Sequence, residues 1–360
     1  MKTSRCESPS LRIAREKRLR TQTLSECWRG ADAEPTPAAE HSAAPHAALY
    51  CVDLFCGMGG FSCGAVQAGH RIALAIDMDA PVVGLHRANH PEAMHRTMKL
   101  GPGCEEHLEQ LIAQAVPNGA RWHLHMSPPC QALSKLQHCN KPEHRRSFTD
   151  GIGMVHWCLR TVLRLRPHSW SLEEVHCREL EGALGYLKAA HPDYVDYAKV
   201  DLSDYGVGQT RTRMLAGCPA TVQRFITEPS LRAPIPKLSE VVTVPEGAMW
   251  QRASVGKNPD PKLTVKHPDG TYTNTSAGAG FLRSVHAPAW TCTASTSAHA
   301  FLAADFHTIR SFVPEEDALL QTFPSSYRIA VPGFTRIQQR RAVGNAYPPL
   351  VACKFMQGAL

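Results

Sequence analysis

A cysteine that directly follows two prolines is the residue of this sequence best suited to covalent chemistry. Cys130 lies in the stretch 126–131, Met-Ser-Pro-Pro-Cys-Gln, after the apolar run 122–126, which predicts a short buried strand. Two prolines fix two φ angles and remove two backbone donors, so the strand ends and the next side chain is rigidly held. A thiol held at a strand end can act as a nucleophile. With 13 cysteines in the chain, simple packing is the alternative, and the triplet alone favours it.

A glycine-rich turn is a candidate cofactor site. Residues 50–55 predict a buried strand, residues 56–62 (Cys-Gly-Met-Gly-Gly-Phe-Ser) a turn, and residues 64–68 the start of a helix. Glycines allow close approach of a ligand to the backbone, and a helix N-terminus presents unpaired N–H groups. A second predicted strand, 71–76, ends at Asp77, and an acid there usually binds a ribose. Because the glycine spacing differs from G-x-G-x-x-G, the pattern favours a nucleoside cofactor other than a nicotinamide dinucleotide.

A pair of adjacent carboxyl groups could supply acid–base chemistry. Residues 168–172 predict a strand that runs into Glu173 and Glu174. A carboxyl group whose pKa is held near neutrality can act as a general acid. Glu174 could raise the pKa of Glu173, or it could point to the other face of the strand. A solvated pair at a strand end is the alternative.

Two arginines and a glutamine alternate later in the chain. On a strand, Gln209, Arg211 and Arg213 would share one face, where the guanidinium groups could orient Glu173 or contact a base carbonyl or a phosphate. An exposed cationic strand is the less favoured alternative.

The spacing of apolar residues predicts the elements that position these groups. Residues 131–151 are polar and without periodicity, which predicts a mobile loop after Cys130, with Arg145 or Arg146 available to a phosphate. The remaining expectations are helices at 153–166 and 310–324, two helices within 335–358, and a strand at 193–200.

Composition sets limits on the class of protein. Apolar content of 43%, charged content of 20% and a net charge of +7 are ordinary for a globular protein, and much of the positive charge lies within residues 1–30. Nucleic-acid binding would therefore need a local patch. The sequence shows no apolar run of membrane-spanning length, no secretory signal and no Cys-x-x-Cys pair. We therefore expect no membrane association, no metal, reduced thiols, and a nuclear or cytoplasmic location. Residues 1–47 predict a disordered tail, whose basic run is an import signal, a nucleic-acid arm or a solvated segment.

Five motifs in order resemble those of the cytosine-5 DNA methyltransferase family. Residues 53–62 resemble its opening motif, residues 77–79 with 89–91 its second motif, residues 128–131 with Ser134 its nucleophile loop, residues 209–213 its Gln-x-Arg-x-Arg element, and residues 341–349 its Gly-Asn-Ala-x-Pro-Pro element. Together they cover about residues 49–358. Any one motif could arise by chance, whereas five in sequence form a highly specific signal.

The resemblance implies a fold, a cofactor and a substrate. We expect an α/β, Rossmann-like S-adenosylmethionine-dependent methyltransferase domain over residues 48–217, a small irregular target-recognition region over 218–287, and a C-terminal return over 288–360, which includes a strand at 288–294. The implied cofactor is S-adenosyl-L-methionine. The implied partner is double-stranded DNA, bound by a monomer.

The resemblance also implies roles for individual residues. The implied catalytic residues are Cys130, Glu173, Gln209, Arg211 and Arg213. The implied cofactor-binding residues are Phe55, Gly57, Gly59, Asp77, Met78, Pro128, Asn345 and Ala346. The chain departs from the family pattern in two places: Glu174 stands where the family has asparagine, and residues 98–102 (Met-Lys-Leu-Gly-Pro) stand where it has a Gly-Asp pair.

These departures and the breadth of the family leave two alternatives. One branch methylates transfer RNA, but its characteristic Cys-Phe-Thr stretch is missing here. A catalytically weak DNA-binding homologue is the other alternative, against which the retention of Cys130 and Glu173 argues. The DNA methyltransferase is the preferred hypothesis.

Overall fold

The structure of the protein is a computed structural model. It describes residues 48–129, 142–252, 264–266, 272–274, 282–294, 299–305 and 307–359. The predicted tail 1–47 and Cys130 lie outside the described residues. Within the described residues, every helix is too short or too polar to cross a membrane.

A seven-stranded main sheet forms the centre of the described chain, with the strand order β3-β2-β1-β4-β5-β7-β6. Strand β7 is antiparallel to both β5 and β6, whereas the pairs formed among β1 to β5 are parallel. The strands are β1 (Tyr50–Leu54), β2 (Arg71–Asp77), β3 (Met94–Thr97), β4 (Trp122–Met126), β5 (Ser169–Glu174), β6 (Asp196–Asp201) and β7 (Thr212–Gly217). The arrangement confirms the α/β class and the strand predicted at 122–126.

Helices cover both faces of the main sheet. Those of the N-terminal part are α1 (Gly60–Gln67), α2 (Ala80–Asn89), α3 (Glu105–Ala115), α4 (Pro142–Leu165), α5 (Arg178–Ala190) and α6 (Pro219–Thr227). One apolar cluster joins the sheet to α3, α4 and α5, and another joins its opposite face to α1 and α6. Strand β1 shows why the sheet is buried on both sides, because Cys51 belongs to one cluster and Val52 to the other.

The main sheet reverses its direction of progression between β1 and β4. From β1 the chain moves outward through β2 and β3, and from β4 it moves outward the other way, through β5. In open α/β sheets, ligands bind at the carboxyl ends of the strands that flank such a point. Here those ends are Leu54 and Met126, each followed by one of the predicted motifs.

The structure corrects several predicted boundaries. Helix α4 begins at Pro142, so the polar loop expected to end at Gly151 is shorter, and residues 130–141 lie outside the described part. Strand β7 begins at Thr212, so the expected strand carrying Gln209 and Arg211 is wrong. Because both side chains bond to distant backbone groups, the chain here is held by tertiary contacts rather than by ladder pairing.

A second, antiparallel sheet follows in the described chain, with six strands in the order β13-β12-β8-β11-β10-β9. The strands are β8 (Trp250–Arg252), β9 (Thr264–Lys266), β10 (Tyr272–Asn274), β11 (Leu282–Ser284), β12 (Ala300–Leu302) and β13 (Thr308–Ser311), preceded by the short helix α7 (Leu238–Val241). Strand β8 pairs with both β11 and β12, so this sheet takes strands from both sides of residue 287.

The C-terminal part returns to the main sheet as helices α8 (Pro314–Leu320), α9 (Arg336–Asn345) and α10 (Pro349–Met356). The helix expected over 310–324 is thus shorter, because residues 308–311 pair as β13. The segment 288–294 is irregular and contacts Gln209 through an isolated bridge at Ala289 instead of forming the expected strand.

Helix α10 packs closely against α1. A Cβ atom on Gly64 would lie 2.5 Å from Ala352 Cβ and closer still to the carbonyl oxygen of Pro349, whereas a Cβ on Gly84 in α2 would meet nothing within 4 Å. The two glycines therefore test the same substitution in a packed and in an open position.

We predict that Gly64→Ala lowers the free energy of unfolding by about 1–3 kcal/mol, because the α1–α10 contact must open. Gly84→Ala should raise it by about 0.5–1 kcal/mol, since alanine loses less backbone entropy in a helix. Urea denaturation of both variants measures the difference. Equal effects of the two substitutions would contradict the packing described here.

Candidate active site

A single cleft lies at the switch point of the main sheet. Its volume is about 400 Å³. It receives the ends of β1, β2, β4 and β5, together with residues from α9. The predicted site residues that line it are Phe55, Gly57, Asp77, Met78, Pro128, Glu173, Arg211, Arg213, Asn345 and Ala346. Two predicted residues, Gly59 and Gln209, lie outside its lining.

The turn after β1 has a conformation that few residues adopt. Phe55 has a φ of 60°, which is strained for a bulky side chain, and its ring meets that of Trp157 edge-on at 6.2 Å. Gly59, with a φ of 97°, has the hydroxyl of Tyr327 directly against it, so a side chain would collide there. Gly59 therefore allows the turn to pack against Tyr327 outside the cleft, while Phe55 forms part of the cleft wall.

The carboxyl group of Asp77 is fixed by backbone donors. Gly57 N donates to Asp77 Oδ2 at 3.0 Å, and Asp79 N donates to Oδ1 at 3.0 Å. Burial raises the pKa of Asp77 above its ordinary value, and the backbone hydrogen bonds act in the opposite direction. The next side chain, Met78, is 67% exposed at the edge of the cleft. The glycine turn and the predicted ribose-binding acid are thus directly joined.

A buried polar network supports the turn, and sequence reasoning missed it. Ser62 Oγ donates to Asp53 Oδ2 at 2.6 Å, His86 Nε2 lies 3.1 Å from Ser62 Oγ, and His86 Nδ1 lies 2.8 Å from His95 Nε2. Burial lowers the pKa of His86 to about 4 and raises that of Asp53. The network joins α1, α2 and β3 beneath the cleft, and the only local signal was an unusual number of histidines.

The two adjacent carboxyl groups point in different directions. Glu173 lines the cleft and pairs with Arg213, whose Nε lies 2.8 Å from Glu173 Oε1. Glu174, which is 1% exposed, accepts a hydrogen bond from Val175 N at 2.6 Å through Oε1. Glu174 Oε2 has no hydrogen-bond partner among the described residues. The alternation of the strand thus gives the cleft one carboxyl group and the interior the other.

The environment of Glu174 favours a neutral carboxyl group. Burial is the main cause that raises its pKa well above the ordinary value, and the nearby charge of Glu173 adds to it. Arg213 and Arg211 act in the opposite direction. A protonated carboxyl carries one donor and one acceptor, as an amide does, so the interior position need not hold a charge.

Arg211 and Gln209 bind the C-terminal part of the chain. Arg211 is 3% exposed, and its guanidinium donates to the carbonyl oxygens of Cys292, Gly344 and Ala346 at 3.2–3.3 Å. Gln209 is fully buried; its side chain donates to Leu320 O and accepts from Cys292 N. Of these three residues, Arg213 pairs with Glu173, while Gln209 and Arg211 bind backbone groups of the C-terminal part.

The remaining wall comes from α9 and from residues near β3. Asn345 and Ala346 lie at the end of α9, and Phe334, Gln338 and Arg341 line the same side, a contribution that the sequence analysis did not identify.

Lys99 lines the cleft where the family pattern has a Gly-Asp pair, with Met98 and Leu100 on either side. At this position the lining therefore contains an exposed lysine between two apolar residues, and no acid.

The prolines before Cys130 reach the cleft. Pro128 and Pro129 both line it, directly after β4 and next to Ser127. Cys130 is the next residue along the chain but lies outside the described residues. A cleft of this volume that contains both a fixed acid and a second carboxyl group paired with a guanidinium is typical of a nucleotide- or nucleoside-dependent group-transfer enzyme.

The family that matches the chain agrees with this class. Residues 49–357 match the C-5 cytosine-specific DNA methylase family, which covers nearly all of the described residues. The chain therefore belongs to this family, as the five motifs predicted.

Three curated relatives are Type II methyltransferases. The chain is 27% identical over 179 residues to M.XorII of Xanthomonas oryzae pv. oryzae, an alignment covering 46% of this chain and 39% of the relative. It is 27% identical over 181 residues to M.AgeI of Thalassovita gelatinovora, covering 48% and 40%. The match to M.HgiDI of Herpetosiphon aurantiacus is 24% identical over 309 residues and covers 82% and 89%. The chain thus spans about two fifths of the first two relatives and most of the third.

Solved structures share the fold. A protein described as a DNA modification methyltransferase encoded within an E. coli prophage superposes with a TM-score of 0.58 at 21% identity, covering 86% of this chain and 98% of that one. S. pombe Dnmt2 superposes with a TM-score of 0.53 at 15% identity, covering 85% and 96%. At these identities the likeness concerns the fold, and it confirms the Rossmann-like expectation.

We predict that the free energy of unfolding of Glu174→Gln falls less with rising pH than that of the wild type. A carboxyl whose pKa is raised in the folded state stabilises fully below its unfolded pKa of about 4.3, and this contribution is lost as the pH rises toward the folded pKa. The unfolding free energy of the wild type should therefore fall relative to the variant by up to about 1.4 kcal/mol per pH unit.

Urea denaturation at a series of pH values measures this difference. Glu106→Gln, which changes an exposed carboxyl on α3, is the matched control and should follow the wild type. If the Glu174→Gln and wild-type curves run parallel between about pH 5 and 9, the neutral state of Glu174 is wrong.

Proposed function

We propose that this protein transfers a methyl group from S-adenosylmethionine to C5 of cytosine in double-stranded DNA, through a covalent adduct on Cys130. One observation carries the proposal. A single cleft brings the Gly57–Asp77 pair together with the Glu173–Arg213 pair and with the prolines that precede Cys130. Membership of the cytosine-specific family and the Type II relatives support the same activity.

The cofactor end of the cleft fits S-adenosylmethionine. The volume of the whole cleft, about 400 Å³, falls in the range of small-molecule sites, about 300–1,000 Å³. The Asp77 carboxyl would accept hydrogen bonds from the ribose hydroxyls, while Phe55 and Met78 would contact the adenine and methionine portions. When bound, the cofactor supplies an electrophilic methyl group. Lys99 cannot accept a hydrogen bond from the adenine amine as a carboxylate would, so Met98 and Leu100 would contribute apolar contact there instead.

The catalytic end of the cleft fits attack on a cytosine. C6 becomes electrophilic when N3 receives a proton or a strong hydrogen bond. Glu173 is the carboxyl group that faces the cleft, and it would take up a proton before it donates to N3, since an ionised carboxylate only accepts hydrogen bonds. Arg213 holds Glu173 in one orientation through the 2.8 Å ion pair. The Cys130 thiolate would form a bond to C6. Carbon C5 would then take the methyl group as the bond between the methyl carbon and the sulfonium sulfur breaks, and S-adenosylhomocysteine would leave. A base would remove the C5 proton, after which the S–C6 bond breaks and the thiolate is regenerated.

The positive side chains at the cleft favour a nucleic-acid substrate. Lys99, Arg213 and Arg341 line it, and cationic groups of this kind bind phosphates. The target cytosine must leave the duplex to reach a cleft of this size. We assign target recognition to the second sheet, from β8 to β13, so α6 at the start of the predicted region 218–287 belongs with the main sheet instead. The monomeric state and the nuclear or cytoplasmic location stay predictions from the sequence.

Methyl transfer from labelled S-adenosylmethionine to duplex DNA tests the proposal. We expect label at C5 of cytosine with the wild type and a loss of at least about 1,000-fold with Cys130→Ser, because the hydroxyl is a far weaker nucleophile at neutral pH. Cys353→Ser changes a partly exposed thiol on α10 and should retain the activity. Duplex DNA carrying 5-fluorocytosine should trap a protein–DNA adduct, since the C5 fluorine cannot leave as a proton does.

Two further measurements separate the alternatives. Transfer RNA offered as a competing substrate should remain unlabelled, and label on RNA alone would contradict the DNA proposal. Calorimetry should detect binding of S-adenosylmethionine to both the wild type and Cys130→Ser. A wild type that binds the cofactor but traps no adduct would contradict the covalent step, and absence of binding would favour the weak DNA-binding homologue.

A further inference from the structure

Three buried side chains with metal-ligating atoms converge outside the cleft. Cys292 lies in the irregular segment 288–294, His299 lies just before β12, and Asp317 lies in α8. Their Sγ, imidazole nitrogen and carboxylate oxygen all lie within 4.8 Å of one another, the one such group found among the described residues. The three residues are 3%, 5% and 6% exposed. We call them the Cys-His-Asp cluster.

The His299 ring is oriented with one nitrogen directed into the cluster. The ring hydrogen-bonds to the backbone of Thr291, while Nδ1 has no hydrogen-bond partner among the described residues. The bond to Thr291 therefore belongs to Nε2, whose N–H donates to a carbonyl oxygen. Nδ1 is then the nitrogen that carries a lone pair. Metal-ligating histidines are commonly fixed in this way, with the second ring nitrogen donating to a backbone carbonyl.

Within the cluster, the Cys292 thiol makes long hydrogen bonds to Asp317 Oδ1 and to Asp317 O, at 3.8 and 3.9 Å, while His299 Nδ1 makes none with the described residues. His299 Nδ1 and Asp317 Oδ1 are 3.9 Å apart, beyond the range of an N–H···O bond. Ligand atoms bound to one Zn²⁺ ion lie about 2.0–2.3 Å from it, so any two are separated by less than about 4.6 Å. The observed spacing thus requires only small movements to surround a common centre.

We propose that Cys292, His299 and Asp317 bind a Zn²⁺ ion, with the fourth position left to a water molecule. Thiolate, imidazole and carboxylate are the ligand types that Zn²⁺ accepts together, whereas the hard cations Mg²⁺ and Ca²⁺ disfavour a thiolate. On binding, the thiol proton of Cys292 passes to solvent. Arg340 Nε lies 3.7 Å from Asp317 Oδ2, which is close enough for a charge interaction but too far for a hydrogen bond.

The position of the cluster gives such an ion a clear structural effect. Cys292 also bonds through its backbone to Gln209 and Arg211, and Arg211 lines the cleft. An ion held by Cys292 and Asp317 would therefore tie the segment 288–294 to α8 directly behind the cleft wall. Binding of zinc by the cluster does not depend on the proposed methyl transfer.

The test measures zinc bound to the full chain. Wild-type protein, Cys292→Ser and His299→Gln are incubated with excess ZnCl₂, passed through gel filtration, and analysed for zinc by mass spectrometry. Cys218→Ser is the matched control, because it makes the same substitution at a cysteine outside the cluster, at the cap of α6. Cobalt binding, followed by the near-ultraviolet thiolate-to-cobalt band, provides a readout that does not depend on activity.

We expect the wild type and Cys218→Ser to retain one zinc ion per chain that both cluster variants lack, and to melt at a higher temperature with zinc than with chelator. The cobalt band should appear in the wild type and be lost in Cys292→Ser. Circular dichroism checks that each variant is folded. If Cys292→Ser does not fold, the zinc content of His299→Gln tests the proposal. A wild type without bound zinc, or folded cluster variants with the same zinc content as the wild type, would overturn the proposal.

Discussion

The candidate active site depends on the hydrogen bonds that the buried guanidinium of Arg211 donates to the C-terminal part of the chain. The guanidinium binds carbonyl oxygens that lie between 81 and 135 residues further along the chain, at Cys292, Gly344 and Ala346. Burying a charge costs several kcal/mol, and hydrogen bonds to a charged group each return about 1.5–3 kcal/mol. The charge is therefore tolerated only while these carbonyls stay in place. The same hydrogen bonds hold the end of α9 in place as part of the cleft wall.

Gln209, Arg211 and Arg213, which lie before and within β7, have different structural roles. Gln209 and Arg211 hold the C-terminal return, whereas Arg213 faces the cleft and orients Glu173. Glu174 adds no second charge to the cleft, because β5 directs it inward to a site that favours the neutral acid. The Glu173–Arg213 pair in the cleft is thus separated from the charge-forming chemistry of the neighbouring carboxyl group.

Locally determined features were predictable from the sequence, and features that depend on distant partners were not. Apolar runs and prolines predicted β4, and glycines predicted the turn between Phe55 and Gly60. The inward direction of Glu174 was one of two options that strand alternation alone could not separate. The start of α4 at Pro142 was missed because its first residues are polar. The expectation of no metal rested on the lack of a Cys-x-x-Cys pair. The Cys-His-Asp cluster was not foreseen, because its members come together only in the fold and have no recognised sequence spacing.

Hydrogen–deuterium exchange of Arg211→Met tests most directly whether this one side chain holds the cleft together. Loss of three charge-assisted hydrogen bonds should speed exchange in residues 288–294 and 343–347 by roughly tenfold or more, while β1 and β4 exchange as in the wild type. Arg213→Met, two residues away, should leave both segments protected, because its guanidinium pairs with Glu173 instead. Unchanged exchange at 288–294 and 343–347 in Arg211→Met would contradict the account.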